Sequence, residues 1–545
     1  MIEFIATNMA PIMFISLILF LLIGYPVAFA LTAVGMIFFV IGVELAPMSD
    51  GVINLSWPLI YAMPDRLWAT MSNETMLAIP FFTFMGLILE RSGMAEDLLD
   101  TIGQLFGRMR GGLAYAVIMV GALLAATTGV VAASVIAMGL ISLPIMLRYG
   151  YDRKTASGVI TASGTLAQIV PPSLVLIVLA DQLGRSVGDI YKAALIPALM
   201  LVGLYMLYIF VLTLIRPNSM PALPPEARTL GKGITSLLVA LLVGAGIAYG
   251  SFHLFRSSTT TENAEVAAGV IAVLAVYGTA LLDQRFNFGI LSTLAQKVLI
   301  VLVPPLALVF LVLGTIFLGI ATPTEGGAMG AIGALIIALA KRRLTFELLR
   351  QAITSTTRLS AFVMFVLVGA RVFGLTFYGV NGHIWVENLL MSLPGGETGF
   401  LIWVSVIVFV LAFFLDFFEL AFIIVPLMAP AAEALGIDLI FFGVLLAINM
   451  QTSFLTPPFG FSLFFLRSVA PRVAYIDKII GKRIEPVTTG QIYWGALPFV
   501  LMQLAMIGIT MMFPQIVMHY KGPPVDPSGV VIELPEMPSF DFTFE

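Results

Sequence analysis

Two pairs of adjacent prolines, Pro171-Pro172 and Pro457-Pro458, stand inside apolar runs long enough to cross a membrane, and each pair is surrounded by oxygen-bearing side chains. Around the first are Thr127, Thr128, Ser134, Ser163, Thr165 and Gln168; around the second are Asp416, Glu419, Asn449, Gln451, Thr452, Ser453 and Thr456. The chain has no cysteine and three histidines, so this hard-oxygen inventory suits an alkali cation and not a transition metal. Each proline pair removes two backbone donors and interrupts its helix. The carbonyls freed by such a break suit Na⁺, and the N-terminus of the resumed half-helix suits a carboxylate. An unpaired backbone group in hydrocarbon costs several kcal/mol, so a break persists at membrane depth only where protein buries it or it lines a cavity. Each break is therefore a candidate binding site. Ser and Thr in membrane helices also bond their own preceding carbonyls, a purely structural use of the same residues.

The elements that position these residues follow from composition. Of 545 residues 60% are hydrophobic and 11% charged, with a mean hydropathy of +1.05. Repeated apolar stretches of about 20 residues, each matching roughly 30 Å of hydrocarbon, define an all-α polytopic membrane protein. The N-terminal run "MIEFIATNMAPIMFISLILF" has neither a basic leader nor a small-residue cleavage site and reads as a first membrane helix. No GxxxxGK[ST] motif occurs, and no nucleophile, base and orienter fall together, which disfavours an ATP-driven pump and an enzyme.

Basic clusters at 107–112, 147–154, 341–350 and 467–483 set the orientation when all are cytoplasmic. Of the 27 basic residues only Arg66, Arg185, Lys192, Arg256, Arg371 and Lys521 then fall elsewhere. The stretch between Arg110 and Arg148 has basic residues at both ends and a small-residue middle, "ATTGVVAAS", and reads as a re-entrant hairpin whose tip lies at Thr127, Thr128 and Gly129. The alternative is one kinked crossing. A gapless shift of 286 residues places Pro144 on Pro430, Gly150 on Gly436, Asp152 on Asp438 and Pro171-Pro172 on Pro457-Pro458. The second copy lacks flanking basic residues, so the two copies face opposite ways. Inverted repeats with paired interrupted helices mark a secondary transporter whose site lies near the midplane.

The expected organisation runs as follows: scaffold helices over 1–75; a first repeat over 76–216 with a hairpin at 113–147 and a broken helix at 155–180; a linker and inserted helical pair over 217–295; scaffold helices over 296–361; a second repeat over 362–518 with a hairpin at 399–433, a broken helix at 439–468 and a last span; and a periplasmic tail over 519–545. Amphipathic stretches at 94–109 and 381–396 correspond under the shift and would lie along the two interfaces, joining scaffold to moving parts. The glycines after them, Gly111-Gly112 and Gly395-Gly396, read either as hinges or as loop punctuation. Among the intramembrane charges, Asp416 is the first choice for ion or substrate contact, Glu419 either shares that role or caps, Glu325 in "TPTEGG" reads as a first-turn acid, and Arg371 is either a carboxylate partner or a structural ion pair.

At this point four ordered motifs carry a resemblance. "GALLAATTGVVAASVIAMGLISLP", "ASGTLAQIVPPS", "GIATPTEGGAMGAIGA" and "NMQTSFLTPPFGFSLF" are similar to the large membrane subunit of tripartite ATP-independent periplasmic (TRAP) transporters, the DctM-like permeases, over roughly 10–216 and 296–515. The resemblance implies a Na⁺-coupled importer of small organic acids that works by an elevator motion in the bacterial inner membrane, with a periplasmic binding protein that delivers substrate and a small four-helix membrane subunit that braces the scaffold. It implies no cofactor beyond the coupling ion. Carried over by motif, a first Na⁺ site would use Thr128, Gly129, Val131, Ala167, Val170 and Pro172, largely through carbonyls, and a second Asp416, Ser453, Thr456 and Pro458. Ser163, Thr165, Gln168, Asn449, Gln451, Thr452 and Arg371 remain as substrate-contact candidates. The commoner "SGSS" tip reads "TTGVV" here, which leaves only carbonyls at Val130 and Val131. The alternative function is a stand-alone Na⁺/carboxylate symporter that needs no binding protein.

Overall fold

The structure, a computed structural model, describes residues 2–49, 51–231, 233–256, 261–457 and 460–521. Ten of the helices in these residues are long and apolar enough to cross a membrane. The protein is an all-α polytopic membrane protein, and the only strands among the described residues are the two-residue pair Tyr475–Ile476 and Arg483–Ile484.

The first hairpin consists of Gly112–Thr128 and Val131–Arg148, turning at Gly129, whose φ of 60° is the left-handed conformation that glycine adopts without strain. The second consists of Gly396–Leu411 and a span over Phe417–Ala434 that passes through a π-helical turn at Leu420–Ile424. The first broken helix runs over Arg153–Thr165, a 3-10 turn at Leu166–Gln168 and, past the prolines, Leu174–Gln182. The second runs over Leu439–Ser453 and resumes at Phe461–Val469. Val131–Arg148 and Phe417–Ala434 coincide end to end under the 286-residue offset.

The same offset repeats in the turn chemistry. After the first hairpin Gly150 N donates to Leu147 O (3.1 Å) and Tyr151 N to Met146 O (3.0 Å); after the second Gly436 N donates to Glu433 O and Ile437 N to Ala432 O (both 2.9 Å). Both glycines hold positive φ, and both turns are Schellman motifs that satisfy the last helical carbonyls. Two residues on, Asp152 accepts from Thr155 N and Asp438 from Ile440 N and Phe441 N, each capping the next helix. Burial alone would raise the Asp438 carboxyl, but the Lys521 ammonium 2.7 Å away and the two capping N–H groups outweigh it and hold it below the usual carboxylate range. Burial likewise opposes, and the Arg148 guanidinium at 2.9 Å outweighs, at Asp477 in the strand hairpin, so its carboxyl is also held down. A depressed carboxyl contributes stability above its unfolded pKa and loses it as pH falls through its folded one. Both contacts therefore persist at neutral pH and fail only in strong acid.

Helix Arg153–Thr165 is nearly devoid of large apolar residues, yet everything from Thr155 to Thr165 is buried. Small residues explain this. A Cβ on Gly158 would collide with the carbonyl of Gly495, and one on Gly495 with the carbonyl of Lys154, so this half-helix lies backbone to backbone on the last span, Thr489–Met512. On the other side Glu74–Arg91 packs along Pro323–Ala340, and Val27–Leu45 along Phe346–Gly379, where Thr376 Oγ1 donates to Gly35 O (2.9 Å). The pair Ile234–Phe255 and Thr261–Phe286 packs on itself and on Thr293–Phe317, and turns Leu238, Leu242, Leu274 and Leu282 outward. The tail from residue 522 onward and Pro458 lie outside the described residues.

Met94–Phe106 and Gly382–Met391 are the two amphipathic stretches. The second meets Gly396–Leu411 at 117°. Positive φ at Gly93, Gly111, Gly395 and Gly396 makes the corners on both sides.

Inverted orientation has a direct check in this cysteine-free chain. Gly150 and Gly436 are strained sites for cysteine, but their exposed neighbours Lys154 and Ala434 are not. A membrane-impermeant maleimide should modify Lys154→Cys only from the cytoplasmic side and Ala434→Cys only from the periplasmic side. Modification of both from one side contradicts the inversion.

Candidate functional site

The first hairpin tip meets the first break. A Cβ placed on Gly129 would lie 3.0 Å from Leu174 Cγ and 3.4 Å from Leu174 N, the first residue after the proline pair and its Ser173 cap. Thr128 ends one hairpin arm and Val131 begins the other, while Ala167 lies in the 3-10 turn and Val170 N donates to Leu166 O (2.9 Å). The Thr128 side chain lies outside what the structure describes. Ser173 holds the break together: its hydroxyl donates to Gln168 O (2.8 Å) and accepts from Val175 N (3.2 Å). Gln168, fully buried beside it, has neither amide atom hydrogen-bonded. A buried amide left this way has room in its chemistry for a further ligand or water.

The second tip is built differently. Asp416 caps the inner arm by accepting from Phe417 N (2.7 Å), and Glu419 Oε2 accepts from Asp416 N (2.9 Å), a reciprocal capping box. Glu419 therefore caps, and both acids sit at one tip, Glu419 buried and Asp416 half-buried. Their counterparts under the repeat are Val130 and Ala133. Neither acid has an ion pair with a basic residue among the described residues. Ser453 and Thr456 flank the second break, donating to Met450 O (2.6 Å) and Thr452 O (2.8 Å). No hydrogen bond among the described residues joins them to Asp416.

The broken helices meet in the buried interior. Gln451 Nε2 donates to Thr165 Oγ1 at 3.3 Å, and these residues are separated by 286 positions, so each touches its own repeat mate. Only residues beside a two-fold axis can do that. Gln503 of the last span joins them, with Nε2 at 3.4 Å from Thr165 Oγ1 and 2.7 Å from Tyr205 Oη. All four side chains are fully buried, and Oε1 of both glutamines is unpartnered.

The hydroxyls share one chemical state. Ser163 donates to Val159 O, Thr165 to Ala162 O and Thr452 to Ile448 O, as Ser453 and Thr456 do to their own carbonyls. With its proton committed to the helix, each hydroxyl presents only lone pairs outward, which favours a cation over an anion. Asn449 ties its helix to the second hairpin through Ser405 O (2.7 Å). Arg371 lies exposed on Phe346–Gly379, and Glu325 completes an exposed capping box with Thr322.

A family model described as the DctM component of the tripartite ATP-independent periplasmic transporter matches residues 14–295 and 266–516. The chain belongs to the DctM family. It is 27% identical over 415 residues to the C4-dicarboxylate TRAP transporter large permease of Pseudomonas aeruginosa, covering 75% of this chain and 81% of that one. It is 24% identical to the ectoine TRAP transporter large permease of Halomonas elongata, covering 94% and 99%. Among solved structures, the YdaH transporter of Alcanivorax borkumensis, whose topology is described as unusual, shares the fold with a TM-score of 0.52 at 15% identity, over 89% of this chain and 99% of that one. The protein is thus a TRAP-type large permease subunit.

Sequence reading of this DctM-family chain missed Tyr205 and Gln503. Each is a polar residue in an otherwise apolar span, a signal that was there to use. The offset that pairs Thr165 with Gln451 was also readable, but nothing in sequence says that equivalent positions touch. Thr165→Val keeps the volume and removes the acceptor that two amides share; leaving a buried donor unsatisfied costs about 1–3 kcal/mol. Thr165→Val should lower the thermal unfolding midpoint of the purified protein while Thr165→Ser stays near wild type. Equal stability of Val and Ser would mean that the contact at the axis is not a bond.

Proposed function

We propose that this chain is the translocating permease of a Na⁺-coupled importer of small organic acids in a bacterial inner membrane. A periplasmic binding protein delivers substrate to it, and a small four-helix subunit braces it. The observation that carries the reading is the convergence of two oppositely oriented broken helices on one buried polar axis, with a hairpin tip against the first break. Membership of the DctM family and the C4-dicarboxylate relative support the organic-acid class and the two partners.

The residues fit the ion they are asked to hold. Around the first break the backbone carbonyls at Thr128, Gly129, Val131, Ala167, Val170 and Pro172, together with the orphaned Gln168 amide, are oxygen ligands of the kind an alkali ion takes. Around the second, Asp416 with the lone pairs of Ser453 and Thr456 and the carbonyl of Pro458 would serve. Charge asymmetry between the tips makes the second the stronger cation site. Substrate then sits between the breaks, within reach of the half-helix N-termini that follow them. Movement is of elevator type: hairpins and broken helices, locked together through Thr165, Gln451 and Gln503, slide as one body, while the amphipathic helices Met94–Phe106 and Gly382–Met391 flex at their glycine corners. Asp97 holds the start of Met94–Phe106 to the scaffold through Lys341 (2.9 Å) and Arg343 (3.1 Å).

Proteoliposomes containing the permease and its partners should take up substrate only with an inward Na⁺ gradient and only with the binding protein. Undiminished uptake driven by a proton gradient in Na⁺-free buffer contradicts the coupling. Uptake by this chain alone makes it a stand-alone symporter.

Asp416→Asn isolates charge from architecture, because asparagine caps a helix about as well as aspartate. The variant should assemble normally, lose most transport and need more Na⁺. Glu433→Gln breaks only the exposed pair with Arg185 and should transport nearly as wild type. Wild-type Na⁺ dependence in Asp416→Asn would assign the carboxylate to capping alone.

A further inference from the structure

The cytoplasmic end of the scaffold carries a cleft of about 450 Å³ whose lining includes Arg91, Ser92, Gly93, Arg343, Glu347 and Gln351. It lies where three membrane helices reach the interface: Glu74–Arg91 ends there, Pro323–Ala340 ends just before it, and Phe346–Gly379 begins beside it. Arg91 is exposed, interacts electrostatically with the neighbouring Glu90, and donates to Gln351 Oε1 (2.7 Å) and Ser355 Oγ (3.2 Å). A guanidinium has five N–H donors, so Arg91 keeps donors free for an anion. Arg343 donates to Ser92 O (3.0 Å) and shares Asp97 with Lys341, so one carboxylate answers two cations. Glu347, the one acid lining the cleft, accepts from Gln351 Nε2 (2.7 Å) and sits 4.0 Å from Arg350. Glu90, next to Arg91, is not part of the lining, and its Oε2 is buried. The charges that face the cleft therefore leave a positive surplus.

The same helices expose apolar side chains, Ile332, Ile336 and Leu339 on one and Phe346 and Ile353 on the other. Gly93 holds a φ of 71° beside the Arg343 guanidinium. A basic cleft at the cytoplasmic ends of membrane helices is the pattern of an anionic lipid site.

We propose that this cleft binds the phosphate headgroup of an anionic phospholipid, and that the lipid steadies the Arg343–Asp97 contact at the start of helix Met94–Phe106. The proposal is independent of the Na⁺ and substrate reading.

The test is thermal unfolding of the purified full-length protein with short-chain phosphatidylglycerol, phosphatidylcholine of the same chain length, or inorganic phosphate. Phosphatidylglycerol should raise the midpoint by about 3 °C or more at saturation, well beyond the other two. Arg91→Gln should lose most of that increment, whatever its own starting midpoint, Glu347→Gln should keep or enlarge it, and Arg483→Gln on the distant cytoplasmic loop should leave it unchanged. An equal shift with phosphatidylcholine would reduce the effect to acyl adsorption. An equal shift with phosphate would make this a free-anion site, and a full increment in Arg91→Gln would remove the headgroup contact. Each of these three results overturns the proposal.

Discussion

A backbone N–H or C=O in hydrocarbon has no water to turn to, and this constraint decides where the chain can afford to be irregular. The first break is buried at every residue from Leu166 to Ser173 but Val170, whereas at the second Thr456 is half-buried and Pro457 exposed. The first is repaired by specific groups: Ser173 bridges Gln168 O and Val175 N, and Tyr191 donates to Ser173 O (3.3 Å). The hairpin tip completes the enclosure, and Gly129 is the residue that lets it approach Leu174 so closely. Interruption and burial are thus one design, and the polar groups left over after the repair are the ones available to a ligand.

The same constraint explains why one half-helix is unlike an ordinary membrane span. Helix Arg153–Thr165 faces no lipid, so it does not need apolar bulk; small residues let it lie directly on the last span at Gly158 and Gly495. Close backbone approach supplies van der Waals contact where a hydrophobic driving force between helices is absent. It also brings Thr165 to Gln451 and Gln503. Two amides sharing the Thr165 hydroxyl tie the two repeats into a single unit.

Architecture is symmetric and chemistry is not. Schellman turns, aspartate caps and hairpin arms recur at the same offset, because they serve the backbone and the backbone is repeated. The tips diverge: Val130 and Ala133 in one, Asp416 and Glu419 in the other. Capping accounts for part of each acid's placement, Glu419 toward Asp416 N and Asp416 toward Phe417 N. It does not account for two carboxylates at one tip without a basic partner among the described residues, which is what the proposed cation would answer.

The sequence by itself determined the class, the repeat and the breaks. Those properties are one-dimensional: hydrophobic length sets a span, and glycine, proline and aspartate at a fixed offset set where helices stop and start. Pro144, Gly150 and Asp152 carried that information as plainly as their partners Pro430, Gly436 and Asp438. Only the tertiary structure decided which polar residues share a site. Asn449 and Thr165 are equally polar and lie in corresponding half-helices, yet one is spent on Ser405 O and the other stands on the axis, because helix rotation is fixed by packing against neighbours that the local pattern does not encode. Arg371 reads either as a carboxylate partner or as a structural ion pair from its charge, and in the fold its side chain is exposed. Gln503 and Tyr205 meet Thr165 from 338 positions and 40 positions away, a proximity that follows from the fold's closure and from nothing in their own segments.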